Sequence, residues 1–158
     1  FIMKLFILAV GNKMPKWVDD GFTDYAMRMS QEVTIELLKI KPEKRSKNIK
    51  ISQLLSAEAK RIHAVLPPKC RTIVMDECGR HWSTAKLADS ISSWMRNGGD
   101  TAFIIGGADG LDSKIKKSAD EILALSALTL PHGLVRVLLA EQLYRAVSFI
   151  NRHPYHRN

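Results

Sequence analysis

The segment MKLFILAVG, residues 3–11, decides the fold class of this chain. It is a short, almost continuous apolar run that stops at a glycine, which is typical of a strand buried on both faces of a parallel sheet. Apolar or β-branched runs of similar length recur along the sequence. They predict four further strands, at residues 33–40, 71–76, 101–107 and 124–132.

Segments with a helical spacing of apolar residues separate these runs. Ser83 is placed to cap one helix, which Gly98 ends, and Asp112 or Ser113 is placed to cap another that extends to Ile122. The other helices are expected after Pro15, over residues 51–66 and over residues 134–151. This alternation predicts an α/β fold, with one mainly parallel sheet and helices on both of its faces.

The length of 158 residues suits one domain. We expect that domain to span residues 3–158, with Met3 as the natural first residue and Phe1 and Ile2 as additions. No internal repeat or linker interrupts it. The apolar run LFILAV, residues 5–10, is too short to cross a bilayer, so no membrane-spanning segment is expected.

Positive charge is the unusual feature of the composition. Lys and Arg number 24 against 16 Asp and Glu, which gives a net charge of +8 and a pI near 9.7. The excess favours a polyanionic partner, a nucleic-acid backbone first and an anionic membrane surface next, although a merely soluble basic protein can have the same balance. Only Cys70 and Cys78 are cysteines, with no CxxC pair, which indicates a reducing compartment and predicts a cytoplasmic location.

Two segments follow predicted strands at the edge where open α/β sheets bind ligands. In IIGGADG, residues 104–110, paired glycines permit a tight turn and close ligand approach, although such a turn is often only structural. In LSALTLPH, residues 125–132, side chains are mostly small or apolar, so a planar ligand such as adenine could satisfy the backbone amides. An ordinary buried fifth strand remains the alternative for that segment.

Three segments together resemble one known family: IGGADGL at 105–111, LSALTLPHGLVRVLLAEQLYRA at 125–146 and HPYHR at 153–157. They are similar to the ribosomal RNA large subunit methyltransferase H family, which consists of small S-adenosylmethionine-dependent RNA methyltransferases of the SPOUT class. The resemblance covers the whole chain from MKLFILAVGNKMPKW onward. The departures are small: Ala108 and Asp109 replace a Pro-Glu pair, and Met75 replaces the usual leucine.

The resemblance implies a C-terminal trefoil knot, a homodimer, and methylation at N3 of a pseudouridine in the large-subunit (23S) ribosomal RNA of the assembled ribosome. A homodimer agrees with the helix at 134–151, because its Leu138 and Phe149 lie outside its main apolar face and need a second burial partner. The residues implied to bind S-adenosylmethionine are Met75, Gly106, Leu125, Ser126, Ala127, Leu128, Thr129 and Leu130.

The end of the chain supplies groups suited to this reaction. The N3 atom of a uracil-like ring must lose a proton before it attacks a methyl group, so a neutral histidine, a nearby cation and a stacking ring would each help. The candidate catalytic residues are therefore Arg145, Tyr155, His156 and Arg157, with Arg145 supplied by a partner subunit if its helix lies at an interface. Two alternatives stay open, an ion pair between Arg145 and Glu141 and a frayed tail.

A basic loop after the second predicted strand is a candidate for phosphate contacts, which position a protein on RNA without reading its sequence. A solvated loop is an equally good interpretation of each residue. The loop and its flanks contain Lys39, Lys41, Lys44, Arg45, Lys47 and Lys50.

Other functions were weighed against the methyltransferase. A noncatalytic, ribosome-associated RNA-binding protein of the same fold is the main alternative, whereas a dinucleotide-dependent oxidoreductase is disfavoured because the chain lacks GxGxxG. A metal site at His153 and His156 is also disfavoured, because Pro154 separates them and no carboxylate or cysteine is near in sequence.

Overall fold

A computed structural model describes residues 2–157. Phe1, expected to be an addition, lies outside the described residues, as does Asn158. Strands and helices alternate along the described chain, as the sequence predicts. The elements are β1 (Met3–Val10), α1 (Lys16–Met27), β2 (Val33–Ile40), α2 (Ile51–Val65), β3 (Arg71–His81), α3 (Thr84–Asn97), β4 (Thr101–Ile105), α4 (Ser113–Ser118), β5 (Glu121–Ala124), α5 (His132–Ile150) and a closing 3-10 turn (Pro154–His156).

The strands form one sheet in the order β2-β1-β4-β3-β5, and every neighbouring pair is parallel. The sequence-based expectation of an α/β fold with a mainly parallel sheet is therefore confirmed. Because all strands run in one direction, their carboxyl ends lie along a single edge. The loops that leave this edge carry the candidate ligand-binding segments.

Helices cover both faces of the sheet, which explains why β1 is apolar at every position except Lys4. Leu5 and Ile7 contribute to a core shared with α1, α3 and α5, whereas Phe6 and Leu8 contribute to a second core shared with α2 and α4. Helix α5 packs against both α1 and α3. None of the helices in residues 2–157 is both long and apolar enough to cross a membrane.

The observed N-caps of helices α3 and α4 match those predicted from the sequence. The Ser83 hydroxyl accepts a hydrogen bond from the Lys86 N–H at 3.0 Å, and the Asp112 carboxylate accepts one from the Lys114 N–H at 2.8 Å. These bonds satisfy backbone donors at the first turns of α3 and α4. The predicted caps at Ser83 and Asp112 are thus confirmed.

The predicted fifth strand at 124–132 was wrong, and so was the predicted helix through Ile122. Strand β5 occupies only Glu121–Ala124, and residues 125–131 form a loop. Pairing with β3 stabilises this short strand, and the Asp120 N–H also donates to the Thr72 carbonyl at 2.9 Å. Backbone partners from a distant strand outweigh the helical spacing of Ile122.

Strand β3 is also longer than predicted, because it continues past residue 76 to His81 through an irregularity between Met75 and Arg80. The β3 and β5 backbones approach closely there. A Cβ atom at Gly79 would lie 2.6 Å from the Ile122 carbonyl oxygen, so this position requires glycine.

Candidate active site

A cavity of about 480 Å³ lies at the carboxyl edge of the sheet, beyond the ends of β3, β4 and β5. Its size is within the range of small-molecule and cofactor sites. Three separate segments build it: the end of β3, the turn after β4 and the loop 125–131. Seven of the eight predicted cofactor residues line the cavity, namely Met75, Gly106, Leu125, Ser126, Leu128, Thr129 and Leu130, whereas Ala127 is not among the lining residues.

The turn after β4 brings backbone to the cavity wall. Gly106 lies against Gly110, and a Cβ atom added to Gly106 would lie 2.5 Å from the Gly110 carbonyl oxygen and 2.9 Å from the Leu111 Cγ atom. Gly107 and Gly110 also form an isolated antiparallel bridge. The glycine therefore permits a hairpin too tight for any side chain at that position.

The loop 125–131 has a defined shape although it forms no helix or strand. The Leu128 N–H donates to the Ser126 hydroxyl at 2.9 Å, and the Thr129 hydroxyl donates to the Glu77 carboxylate at 2.7 Å. The second bond ties the loop to the extension of β3. Leu128 is 73% exposed, so the loop is not the buried strand that was the alternative interpretation.

Charged side chains meet on one side of this cavity. Asp76 and Lys116 form an ion pair at 2.7 Å, and both line the wall. Burial by itself raises the pKa of Asp76, but the hydrogen bond and charge of Lys116 and the backbone N–H groups of Cys78 and Glu77 outweigh it, so the pKa lies below its ordinary value of 3.8. The carboxylate is therefore ionised at neutral pH.

Sequence reasoning missed several lining residues. Asp76, Lys116 and His132 come from three separate elements, and His132 has a buried Nδ1 atom without a hydrogen-bond partner. Asp76 directly follows the apolar part of β3, so its position after a strand end was an available signal. Lys116 and His132 carried no such signal, because only the folded chain brings α4 and the start of α5 to this edge.

The predicted catalytic residues lie at the other end of α5. His132, the first residue of α5, lines the cavity, and Arg145 follows thirteen positions later. At 1.5 Å per residue the two backbone positions are about 20 Å apart along the helix axis. Arg145, Tyr155 and His156 do come together, but none of them is among the residues that line the cavity of their own chain.

Arg145 is engaged by its own helix. Its guanidinium contacts the Glu141 carboxylate at 2.6 Å and donates to the His156 carbonyl oxygen at 3.3 Å. The hydrogen bond to Glu141 raises the pKa of Arg145, so the group stays cationic. The helical ion pair, which the sequence left open as an alternative, is thus present in the single chain.

Tyr155 is held against the same helix. Its hydroxyl donates to the Glu141 carboxylate at 3.1 Å, and the Arg145 guanidinium lies 4.8 Å from its ring centroid. The Tyr144 ring is 4.6 Å away. Burial, a hydrogen bond with Tyr25 and the Glu141 charge raise the pKa of Tyr155 to about 12, so the phenol is neutral at physiological pH and does not act as a base.

The two remaining predicted residues differ in their surroundings. The His156 ring packs against Phe149 with centroids 5.0 Å apart, and its Nδ1 atom is buried without a partner. Arg157 is exposed. The tail is therefore ordered against α5 rather than frayed. Over residues 2–157, no group of three or more His, Cys, Asp or Glu side chains could hold a metal ion.

Comparisons with known proteins identify relatives over nearly the whole chain. A family described as predicted SPOUT methyltransferase matches residues 3–156. Proteins named ribosomal RNA large subunit methyltransferase H include one from Nitrosospira multiformis, 64% identical, and one from Chromobacterium violaceum, 55% identical, each aligned over 98% of this chain and 99% of the relative. A solved structure of a probable methyltransferase from Bordetella pertussis matches with a TM-score of 0.60 at 12% identity, over 92% of this chain and 96% of that one, which supports the fold alone.

Proposed function

Because this chain belongs to the SPOUT methyltransferases and, within them, to the ribosomal RNA large subunit methyltransferase H family, we propose that it methylates N3 of a pseudouridine in 23S ribosomal RNA of the assembled ribosome. The chain is an S-adenosylmethionine-dependent rRNA methyltransferase. The observation that carries the proposed site is that seven of the eight residues implied by the family resemblance line one cavity at the carboxyl edge of the sheet.

The cavity fits S-adenosylmethionine in three respects. Its volume of about 480 Å³ suits a nucleoside with a side chain. Leu125 and Leu130 offer apolar contact for an adenine, and the backbone of residues 125–131 offers hydrogen-bonding groups to its edge. Although the protein has a net charge of +8, the wall of this cavity contains more carboxylates than ammonium groups. Such a wall suits the positively charged sulfonium and α-ammonium groups of S-adenosylmethionine.

S-adenosylmethionine supplies an activated methyl group to the acceptor. The residues of the chain have to bind the cofactor, align it with the acceptor base and remove the N3 proton of that base. In this proposal Gly106 and the 125–131 loop hold the cofactor, the Arg145 guanidinium stabilises the imide anion formed at N3, and the His156 imidazole takes the N3 proton. Because the Nδ1 atom of His156 is buried, the proposal assigns the proton transfer to its Nε2 atom.

The separation along α5 leads to a second part of the proposal, a homodimer with sites shared between protomers. Arg145 and the tail are about 20 Å along the helix from the cavity of their own chain, so they can serve a cavity only if a partner presents it. Leu134 and Leu138 on α5 are half-exposed, and Trp17 at the start of α1 is 58% exposed. These apolar side chains give a twofold partner a surface to bury.

We further propose that the C-terminal part is knotted and that the protein works in the cytoplasm with its ribosomal substrate. Strand β5 lies at one edge of the sheet, whereas α5, which follows through residues 125–131, packs against both α1 and α3. A chain returning from an edge to the middle of a face is compatible with the threading that a knot needs.

The decisive experiment maps modified nucleotides by mass spectrometry in 23S rRNA from cells with and without the gene for this chain. The proposal expects one N3-methylated pseudouridine to disappear in the deletion strain and to return when purified protein and S-adenosylmethionine are added to assembled ribosomes from that strain. An unchanged modification map, together with ribosome binding, would instead support the noncatalytic RNA-binding protein. The mass of the purified protein in solution tests the dimer.

A further inference from the structure

A second cavity, of about 300 Å³, lies beside the cofactor cavity at the same edge of the sheet. It sits between the loop after β1 (residues 11–15) and the loop after β2 (residues 41–50). Gly107, Ala108, Asp109 and His132 line both cavities, so only this strip of residues separates them. The function proposed above gives the second cavity no role.

The loop after β1, which forms one wall of the second cavity, is held in place by helix α5, so the second cavity is preformed. Arg136 on α5 is fully buried, and its Nη2 atom donates to the Gly11 carbonyl oxygen at 3.2 Å. Burial lowers the pKa of Arg136, and the charge of Asp19 acts in the opposite direction. A buried side chain therefore holds the first residue of this loop in place.

The walls of the second cavity suit a flat heterocycle. Val10 and Leu54 are buried apolar residues at its floor, where the face of a base can pack. Asn12 and Glu58 offer hydrogen-bonding groups to the edge of a base. The Glu58 side chain is buried, and its Oε2 atom accepts the Glu43 N–H at 3.0 Å, which leaves further lone pairs on the carboxylate for an N–H donor.

A cation stands at the mouth of this cavity. Arg45 pairs with Asp109 at 2.5 Å across the opening, and the Arg45 side chain is 64% exposed. Only the Arg45 side of this pair is exposed, since the Asp109 side chain is 19% exposed. A phosphate offers an arginine a bidentate, charge-assisted contact, so the exposed guanidinium of Arg45 can turn outward to a phosphate while Asp109 stays in place. Exposed Lys13 and Lys44 lie on the same two loops.

We propose that the second cavity binds an unpaired nucleobase of the RNA substrate that flanks the methyl acceptor, while Arg45 leaves Asp109 for the phosphate of that nucleotide. The inference rests on the proposed function, because it needs an RNA substrate at the neighbouring cofactor cavity. Proteins recognise single-stranded RNA in this way, with the splayed base in a pocket and its edge hydrogen-bonded. The cavity would position the acceptor nucleotide and would take no part in the chemistry.

Filling the cavity tests the proposal. Asn12→Phe places a ring in the opening from an exposed position, and Asn97→Phe makes the same change at the opposite edge of the sheet as a control. With assembled ribosomes that lack the modification, Asn12→Phe should raise KM at least about tenfold, since a stacked base carries that much binding. Its cofactor Kd and kcat should stay as in the wild type. A KM equal to that of Asn97→Phe overturns the proposal.

A double-mutant cycle tests the exchange of partners at Arg45. The cycle is measured at saturating S-adenosylmethionine, because Asp109 also lines the cofactor cavity. Under that condition Arg45→Ala should raise KM for the ribosomes, Asp109→Asn should lower it, and the double variant should match Arg45→Ala, because Asp109 then affects this KM only by competing for Arg45. A rise in KM with Asp109→Asn would overturn the exchange. Loss of methylation of the same ribosomes by the wild-type protein would instead contradict the proposed function itself.

Discussion

Gly106 shows how backbone, rather than side chains, shapes the candidate cofactor site. Its missing Cβ lets the hairpin after β4 close to within van der Waals contact of Gly110 and Leu111. The sequence indicated this turn from the paired glycines alone. It could not indicate that Gly110 is the neighbour, because that contact exists only once the hairpin has formed.

We expect Gly106→Ala to weaken S-adenosylmethionine binding by at least about tenfold, and to lower the free energy of unfolding by about 2 kcal/mol, because the added methyl group must displace backbone. Calorimetric titration and urea unfolding measure the two effects. Ala64→Ser, an exposed change on α2 outside both cavities, serves as the control. Wild-type affinity in Gly106→Ala would show that the hairpin can relax without disturbing the cavity.

Asp76 gives the site a pH-dependent contribution to stability. Its pKa in the folded chain lies below the ordinary value of 3.8, so the pair with Lys116 stabilises the fold fully above that value and is lost as pH falls through the lower folded pKa. Asp76→Asn should therefore lower the unfolding free energy near pH 7 by about 1 kcal/mol.

The difference between the Asp76→Asn variant and the wild type should shrink as unfolding is repeated at pH values well below 3.8. Asp89→Asn, at an exposed position of α3, should show no comparable change. A difference that is the same at neutral and acidic pH would mean that the Asp76 charge does not stabilise the fold.

At the scale of elements, the sequence predicted the longer helices and strands well. Strand β1 and helix α2 are long enough for their periodicity to distinguish strand from helix. Strand β5 is only four residues long, and its Ile122 continues the spacing of Ile115 on α4, so the pattern favoured a helix. Hydrogen bonding to β3 decided otherwise, and a distant strand leaves no local mark in the sequence.

The parts of the candidate site that lie within one segment were predictable from the sequence, whereas the parts formed by contacts between segments were not. The loop 125–131 and the glycine turn were identified from their own residues and from the family resemblance. The interaction of Thr129 with Glu77, and the arrival of Lys116 beside Asp76, depend on the arrangement of β3, α4 and the loop. Such contacts join residues far apart along the chain, so spacing cannot predict them.

The loop after β2 yields a prediction for RNA binding. Replacing Lys44, Arg45 and Lys47 together by glutamine should weaken binding to assembled ribosomes and lower the slope of log Kd against log salt by up to about 2, because up to three phosphate contacts are lost. Titrations at several salt concentrations measure the slope.

A matched control for the loop variant removes Lys4, Lys69 and Arg96, three exposed cations near the amino ends of β1, β3 and β4. It changes the net charge equally but at the edge remote from both cavities. An equal loss of slope in the two variants would mean that only the total charge of the protein matters.

At the scale of the whole molecule, the candidate cofactor cavity and the tail proposed to be catalytic occupy opposite ends of α5 in one chain. The tail is nevertheless ordered, because Glu141 accepts hydrogen bonds from both Arg145 and Tyr155. A twofold dimer would bring each ordered tail to the other chain's cavity without unfolding either. The fold and the preformed tail together explain how two copies of a small domain could form two complete sites.

Mixing two inactive variants tests that arrangement. Gly106→Ala impairs the cavity and Arg145→Ala impairs the tail, so each homodimer should be nearly inactive. After co-expression, random pairing should restore about a quarter of wild-type methylation, because half of the dimers contain one intact site of two. A mixture no more active than its components would show that cavity and tail function within one chain.

Helix α5 therefore sets the spacing between the cavity and the tail, in addition to packing against the rest of the fold. A rigid helix fixes both the distance and the relative rotation of the residues at its two ends, whereas a flexible linker would fix neither. Adding a single alanine at its middle would turn everything beyond that point by about 100° and advance it by about 1.5 Å. A change in the number of residues in this helix would therefore misplace the tail relative to the cavity, whereas a substitution on its exposed surface would leave that spacing unchanged.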